Sequence, residues 1–251
     1  MKKTISIITA LLLAFCAMGQ DAVALAREGD SLYSKGNYTG AIENYEAALA
    51  TGRGSAEVYY NLGNAYYRTG QNARAILNYE RALRLRPGMR DARENLELAN
   101  ERTQDRINEL PLWFAARSWR KFTTEVTPTV WRVVWLILLA LVAAAAVGLR
   151  IGRGRGLRRW SLIVGMLALL WLATVTVILI KATQNYNSHS AAIVMQPSVA
   201  VKSSPEYNSA DKLILHEGTR VVISESLQGW ERITIADGTS GWCPTEAVER
   251  I

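Results

Sequence analysis

Histidine and cysteine are nearly missing: each occurs only twice in 251 residues. His189 and His216 stand 27 positions apart with no second ligand beside either, so the spacing of a metal site is not met. No local motif brings Ser, His and Asp or Cys and His together, and Cys243 has neither a nearby histidine nor a C-x-x-C partner. No catalytic, cofactor or metal residue is expected, and the role is expected to be non-enzymatic. Acidic residues are absent from one long region, since residues 128–187 carry seven basic side chains and no Asp or Glu. The net charge of +7 divides into +2 for residues 1–20, +1 for 21–127, +7 for 128–187 and −3 for 188–251. A basic chain of this size often binds nucleic acid. Here the excess sits in an apolar region and a leader, so no nucleic-acid partner is expected.

The leader is residues 1–19. Lys2 and Lys3 precede an apolar run from Ile5 to Ala17, and Ala17 and Gly19 supply small residues at −3 and −1 of a cut before Gln20. This is the pattern of a signal peptide. Phe15 is bulkier than the residue a lipoprotein leader carries before its cysteine, so Cys16 is expected to leave with the leader. Cys243 is then alone, no internal disulfide forms, and a buried thiol is expected.

Seventeen uncharged residues lie between Arg132 and Arg150, and twenty-one between Arg159 and Lys181. As helices these are about 26 and 32 Å long, close to the roughly 30 Å of a bilayer's hydrocarbon. Between them runs RIGRGRGLRR, with Arg150, Arg153, Arg155, Arg158 and Arg159. These arginines read as topology determinants that hold the turn on the cytoplasmic side. Its three glycines lack the spacing and the preceding strand of a nucleotide-binding loop. The expected path takes the signal peptide's N-terminal domain outside, the first span in and the second out. No charge lies inside either run, which argues against a pump or transporter. Ala140, Ala144 and Gly148 form a small-residue stripe, which either the second span, through Gly165 and Ala168, or another membrane protein can pack against. Trp131, Trp135, Trp160 and Tyr186 fall near the expected interfaces. Trp113, Phe114, Trp119 and Phe122 mark residues 107–129 as a linker or an interfacial helix.

Before the spans a segment repeats itself at an offset of 34. Gly29, Gly36, Ala41, Ile42, Asn44, Tyr45, Glu46, Ala48 and Leu49 recur as Gly63, Gly70, Ala75, Ile76, Asn78, Tyr79, Glu80, Ala82 and Leu83. Each unit reads as two amphipathic helices joined at a glycine turn. With Tyr59, Leu62, Tyr66 and Pro87 the second copy resembles the tetratricopeptide repeat; the first departs from that pattern at Glu28 and Arg53. Residues 89–105, with Ala92, Leu96 and Ala99 apolar, read as a capping helix. The resemblance implies an inner groove lined by first helices, placing Arg27, Asp30, Tyr33, Tyr60, Asn61, Asn64, Tyr67 and Arg68 as candidate partner-binding residues. Of the lysine and arginine clamp that captures terminal carboxylates in such folds, only Asn61 is present; Ala26, Asp30, Asp91 and Asn95 do not fit it.

After the spans, short alternating runs broken by Pro197, Pro205, Gly218, Gly229, Gly238 and Gly241 signal a small all-β barrel. VAVKSSP, LHEGTRV, QGWERITIADGTSGW and PTEAVERI resemble the bacterial SH3-like domain. Trp230 and Trp242 either line a ligand groove, as in relatives that bind peptides and sometimes cell wall, or close the barrel's ends.

The expected fold is a multidomain membrane protein: an all-α tetratricopeptide stack, a two-helix transmembrane hairpin and an all-β SH3-like barrel. Its segments are 1–19 (signal peptide), 20–106 (two repeats and cap), 107–129 (linker or interfacial helix), 130–150 (first span), 151–158 (cytoplasmic turn), 159–181 (second span), 182–190 (linker) and 191–251 (SH3-like domain). This order resembles the BatE-like branch of the aerotolerance (Bat) family of Bacteroidetes. The resemblance implies an inner-membrane component facing the periplasm. It also implies partners among von Willebrand A-domain membrane proteins and a MoxR-type ATPase, in stress tolerance or envelope maintenance. The alternative expectation is a cell-wall sensor or tether that binds peptidoglycan peptide.

Overall fold

A computed structural model describes residues 21–52, 54–107, 119, 126–152, 154–187 and 190–251, without the side chains of 185–187. The leader, Arg53, most of 107–129 with Trp113, Phe114 and Phe122, Arg153, His189 and the Tyr186 side chain lie outside the described residues. The chain divides into two units: residues 1–110 with 189–251, and residues 111–188.

In the first unit, five helices form the repeat stack: α1 (21–34), α2 (Tyr38–Ala50), α3 (Ala56–Arg68), α4 (Asn72–Leu85) and α5 (Arg90–Asn100). The local chemistry repeats with the sequence. Gly36 and Gly70 sit at φ +79° and +77° after the first helix of each pair, a left-handed conformation that glycine adopts without strain. Asn37 caps α2 by accepting from the Gly40 N–H at 3.0 Å, and Ser55 caps α3 by accepting from Val58 at 3.3 Å. Gln71, the repeat equivalent of Asn37, makes no side-chain cap bond, as its extra methylene puts it outside the preferred cap residues.

Small residues set the helix spacing. A Cβ on Gly29 would stand 2.6 Å from the Tyr45 ring, and one on Gly63 would stand 2.7 Å from the Tyr79 ring. Ala41, Ala75 and Ala82 are fully buried beside these tyrosines. Each buried ring contributes about 2–3 kcal/mol of apolar burial.

Residues 190–251 form an antiparallel sheet of seven strands: β1 (Ala191–Val194), β2 (Ser198–Lys202), β3 (Asp211–His216), β4 (Arg220–Leu227), β5 (Trp230–Thr234), β6 (Ser240–Pro244) and β7 (Val248–Arg250). Their spatial order is β3-β2-β6-β5-β4-β1-β7. Gln228 and Gly229, both at positive φ, make the two-residue turn between β4 and β5, as a tight hairpin requires. Val199, Val201, Leu215, Val221, Ile233 and Cys243 form the sheet's own core.

The two parts of this unit share a core. Ile193 of β1 and the C-terminal Ile251 join the cluster of Ile76, Leu77, Tyr79 and Ala99. Gly218, at φ +87°, passes so close to the stack that a Cβ there would meet Thr103 at 2.8 Å and Ile76 at 3.1 Å. Polar contacts ring this seam. Arg81 pairs with Glu249 at 2.9 Å and Arg220 with Glu80 at 3.0 Å, while Arg84 donates to the Ile251 carbonyl. Asp105 accepts from the His216 backbone N–H at 2.7 Å and from Thr219 Oγ1 at 2.6 Å, and its other oxygen meets His216 Nδ1 at 2.7 Å. Burial alone would push the Asp105 carboxyl up. The bonds from Thr219 and His216 outweigh it and hold the carboxyl below its usual range.

The second unit holds α6 (Pro128–Ile151) and α7 (Arg155–Asn187), of 24 and 33 residues, both long and apolar enough to span a membrane. Proline at the first helical position starts α6 without a lost hydrogen bond. The helices pack along a seam of Trp135, Leu138, Val142 and Ala145 against Ser161, Gly165, Ala168, Leu172 and Val175. Trp135 Nε1 donates to Thr176 Oγ1 at 3.0 Å. The seam alternates steps of three and four, as in left-handed helix pairs. A strict four-residue stripe drifts out of such a seam. Of the expected stripe, Gly148 lies against Ser161, whereas Ala140 and Ala144 are on the exposed face.

α7 begins at Arg155, so the connection is only 152–154, and Arg155, Arg158 and Arg159 stand on the helix's exposed first turns. Arginine is a good helix former and nothing after Gly154 stops the helix. Arg158 Nε donates to the Gly152 carbonyl at 2.8 Å, and Arg150 lies in the last turn of α6.

Candidate functional site

The inner side of the repeat stack carries a groove of about 280 Å³, formed by α1, α3, α4 and α5. Tyr33, Tyr60, Asn64, Tyr67 and Arg68 line it, joined by Tyr79, Asn95 and Leu98. Two repeat-related hydrogen-bond ladders run through the stack, and the second builds the groove's floor. Tyr45 donates to Asp30 Oδ1 at 2.7 Å, and Asn61 Nδ2 donates to the same oxygen at 2.9 Å. One period later, Tyr79 donates to Asn64 Oδ1 at 2.8 Å and Asn95 Nδ2 donates to it at 2.7 Å.

The second ladder repeats the first at an offset of 34. Asn95 therefore occupies the Asn61 position of a third unit, whose first helix is α5. In place of a second helix, the sheet packs Ile193 and Ile251 against α4 and Ala99. Burial and then the Asp30 carboxylate push the Tyr45 hydroxyl well above its usual pKa; burial, followed by neighbouring tyrosines, does the same for Tyr79. Both phenols stay protonated donors at any physiological pH.

Above this floor lie cations on rings. The Arg68 guanidinium sits 5.7 Å from the Tyr38 ring centre, and Arg102 sits 4.1 Å from that of Tyr67. Tyr33 and Tyr38 meet edge to face at 5.1 Å. Of the eight residues expected to face partners, Tyr33, Tyr60, Asn64, Tyr67 and Arg68 come together in the groove. Asp30 and Asn61 are spent on the first ladder, and Arg27 is exposed on α1. Tyr79, Asn95 and Leu98 were missed as lining, and Tyr38 and Arg102 as ring contacts of Arg68 and Tyr67 beside it. For Asn95 the 34-residue offset from Asn61 held the signal.

On the sheet, Trp230 is buried, with its ring 4.9 Å from that of Tyr207, which is 71% exposed. Trp242 is half-buried and pairs across the strands with Lys202 and Arg232. The accessible aromatic is thus Tyr207, in the loop between β2 and β3, which the alternating-strand pattern passes over. Cys243 is fully buried, and burial, helped by the charge of Glu231, pushes its thiol up to about 12. Among the described residues no group of three His, Cys, Asp or Glu is placed to hold a metal ion.

Residues 29–70 match a family model described as TPR repeat, and residues 56–89 match that of the tetratricopeptide repeat. The helical part is therefore a tetratricopeptide stack, within a multidomain membrane protein that also has two long apolar helices and a C-terminal antiparallel sheet. A comparison with curated proteins finds no match.

Proposed function

We propose that this chain is a non-enzymatic, membrane-anchored adaptor that holds protein partners at the periplasmic face of the inner membrane. The observation that carries the reading is the repeat groove, where aromatic rings, carboxamides and guanidinium groups converge on a built floor. Such a surface suits a peptide's alternating apolar and polar groups. The positive turn between the two helices supports an N-terminal and C-terminal part that both face outward. The SH3-like reading of the sheet and the resemblance to Bat proteins make von Willebrand A-domain membrane proteins the expected partners.

The test is a photo-crosslinking amino acid in place of Leu98, a groove residue that is 49% exposed, in intact membranes. Adducts with von Willebrand A-domain proteins are expected. Adducts with none, while a Tyr207 probe captures cell wall, would overturn the reading. That outcome belongs to a second one, a wall tether, which the exposed Tyr207 ring, tilted at 60° against Trp230, favours. Sedimentation of the full chain with purified sacculi tests it directly.

A further inference from the structure

We infer that the repeat groove selects an extended acidic peptide, held by its side-chain carboxylates and not by a terminal one. The inference rests on the groove reading above and adds the partner's chemistry. Arg68 and Arg102 lie over tyrosine rings, and neither pairs with a carboxylate among the described residues. Arg68 also hydrogen-bonds Tyr33, but a guanidinium has five N–H donors, so both arginines keep donors that match a carboxylate in two parallel hydrogen bonds.

The neutral groups point the same way. Asn64 Oδ1 already accepts from Tyr79 and Asn95, so its remaining capacity is the two N–H donors of Nδ2. The Tyr60 hydroxyl accepts from Asn95 Nδ2 at 3.3 Å, which leaves its own proton to donate. Asp30, the acid of the first ladder, is engaged by Tyr45 and Asn61. Asn95, whose two bonds use Nδ2, keeps its Oδ1 for a peptide N–H, but the charge beside the groove is cationic, so the fitting ligand carries backbone carbonyls for Asn64 and Tyr60 and carboxylates for Arg68 and Arg102.

The test uses the full chain in lipid nanodiscs and fluorescence polarisation with labelled peptides about twelve residues long. One alternates Leu with Glu and is amidated at its C-terminus; a second carries Gln for Glu; a third is the Gln peptide with a free carboxylate. The amidated Glu peptide is expected to bind at least about tenfold tighter than its Gln form, with an affinity that falls as salt rises. R68Q and R102Q are each expected to lose most of that preference while R68K keeps part of it, with melting of each variant read in parallel. Equal binding of the Glu and Gln peptides, lost in N64A, overturns the acidic preference and leaves the groove reading standing. Binding of the free-carboxylate peptide alone overturns it in favour of end capture. No binding of any peptide removes both.

Discussion

Asp105→Ala should undock the sheet from the repeat stack. The carboxylate is mostly buried and receives three hydrogen bonds from His216 and Thr219. A bond to a charged acceptor contributes about 1.5–3 kcal/mol, and a buried N–H left without a partner costs about 1–3 kcal/mol. The three bonds share one carboxylate and do not add in full. A loss of about 3–5 kcal/mol in docking follows, which raises the undocked population by about two to three and a half orders of magnitude. Asp105→Asn keeps the shape and one acceptor oxygen, and about 1–2 kcal/mol is expected.

Hydrogen exchange read by mass spectrometry on the full chain in nanodiscs reports this at the amides of Ile193, His216 and Ile251. The pH dependence has a fixed sign. The folded carboxyl lies below its usual range, so its contribution is complete above the ordinary Asp value of about 4 and is lost as pH falls through the lower folded value. Wild type should therefore loosen at the seam only below about pH 4, and Asp105→Asn should lack that step. Unchanged exchange at His216 in Asp105→Ala would refute the latch.

Gly63→Ala should lower the denaturant stability of the stack by about 1–3 kcal/mol, because the new methyl meets the Tyr79 ring at 2.7 Å in a packed core. Cys243 should resist a maleimide in the folded protein at neutral pH and react only on unfolding, since its thiol is buried and pushed up to about 12; rapid native labelling would contradict the packing. Trp135→Phe should weaken the helix pair by about 0.6 kcal/mol through loss of the bond to Thr176, read as a shift in steric-trap or thermal unfolding in detergent.

The sequence is most informative where the physics is local. Gly29 and Gly63 betray close contacts with Tyr45 and Tyr79 because one period serves both copies, and the long apolar runs announce α6 and α7. Where the determinants are far apart in the chain, the pattern is silent. Asp105 reads as one more charge in a polar helix tail, and His216 as a lone histidine, until the fold brings residues 111 positions apart into contact. The same holds for Ile251, whose burial depends on α4 and not on its neighbours. In the membrane helices composition was misleading in detail: small residues mark close approach, but the three-and-four seam decides which of them face α7, and it turns Ala140 and Ala144 away. Residue type left Trp230 open between lining a ligand groove and closing the barrel's end, and the fold buries it against Tyr207.

The shared core also constrains how the chain is threaded through the bilayer. Residues 21–107 precede α6 and residues 190–251 follow α7, yet Ile193 and Ile251 are packed with Ile76 and Ala99. Two segments that bury side chains in one another must lie on the same side of a membrane, so the intervening helices cross it an even number of times, as a hairpin does. The cysteine-poor sequence makes this simple to check, because Cys243 is buried. Single cysteines in place of Lys35, Glu246 and Gly154, all exposed, are labelled with a membrane-impermeant maleimide in spheroplasts. Lys35→Cys and Glu246→Cys should react before permeabilisation and Gly154→Cys only after it, as the arginines around the turn favour the cytoplasmic side. If positions 35 and 246 report opposite sides, the Asp105 latch cannot form in the cell and the single repeat-and-sheet unit is refuted.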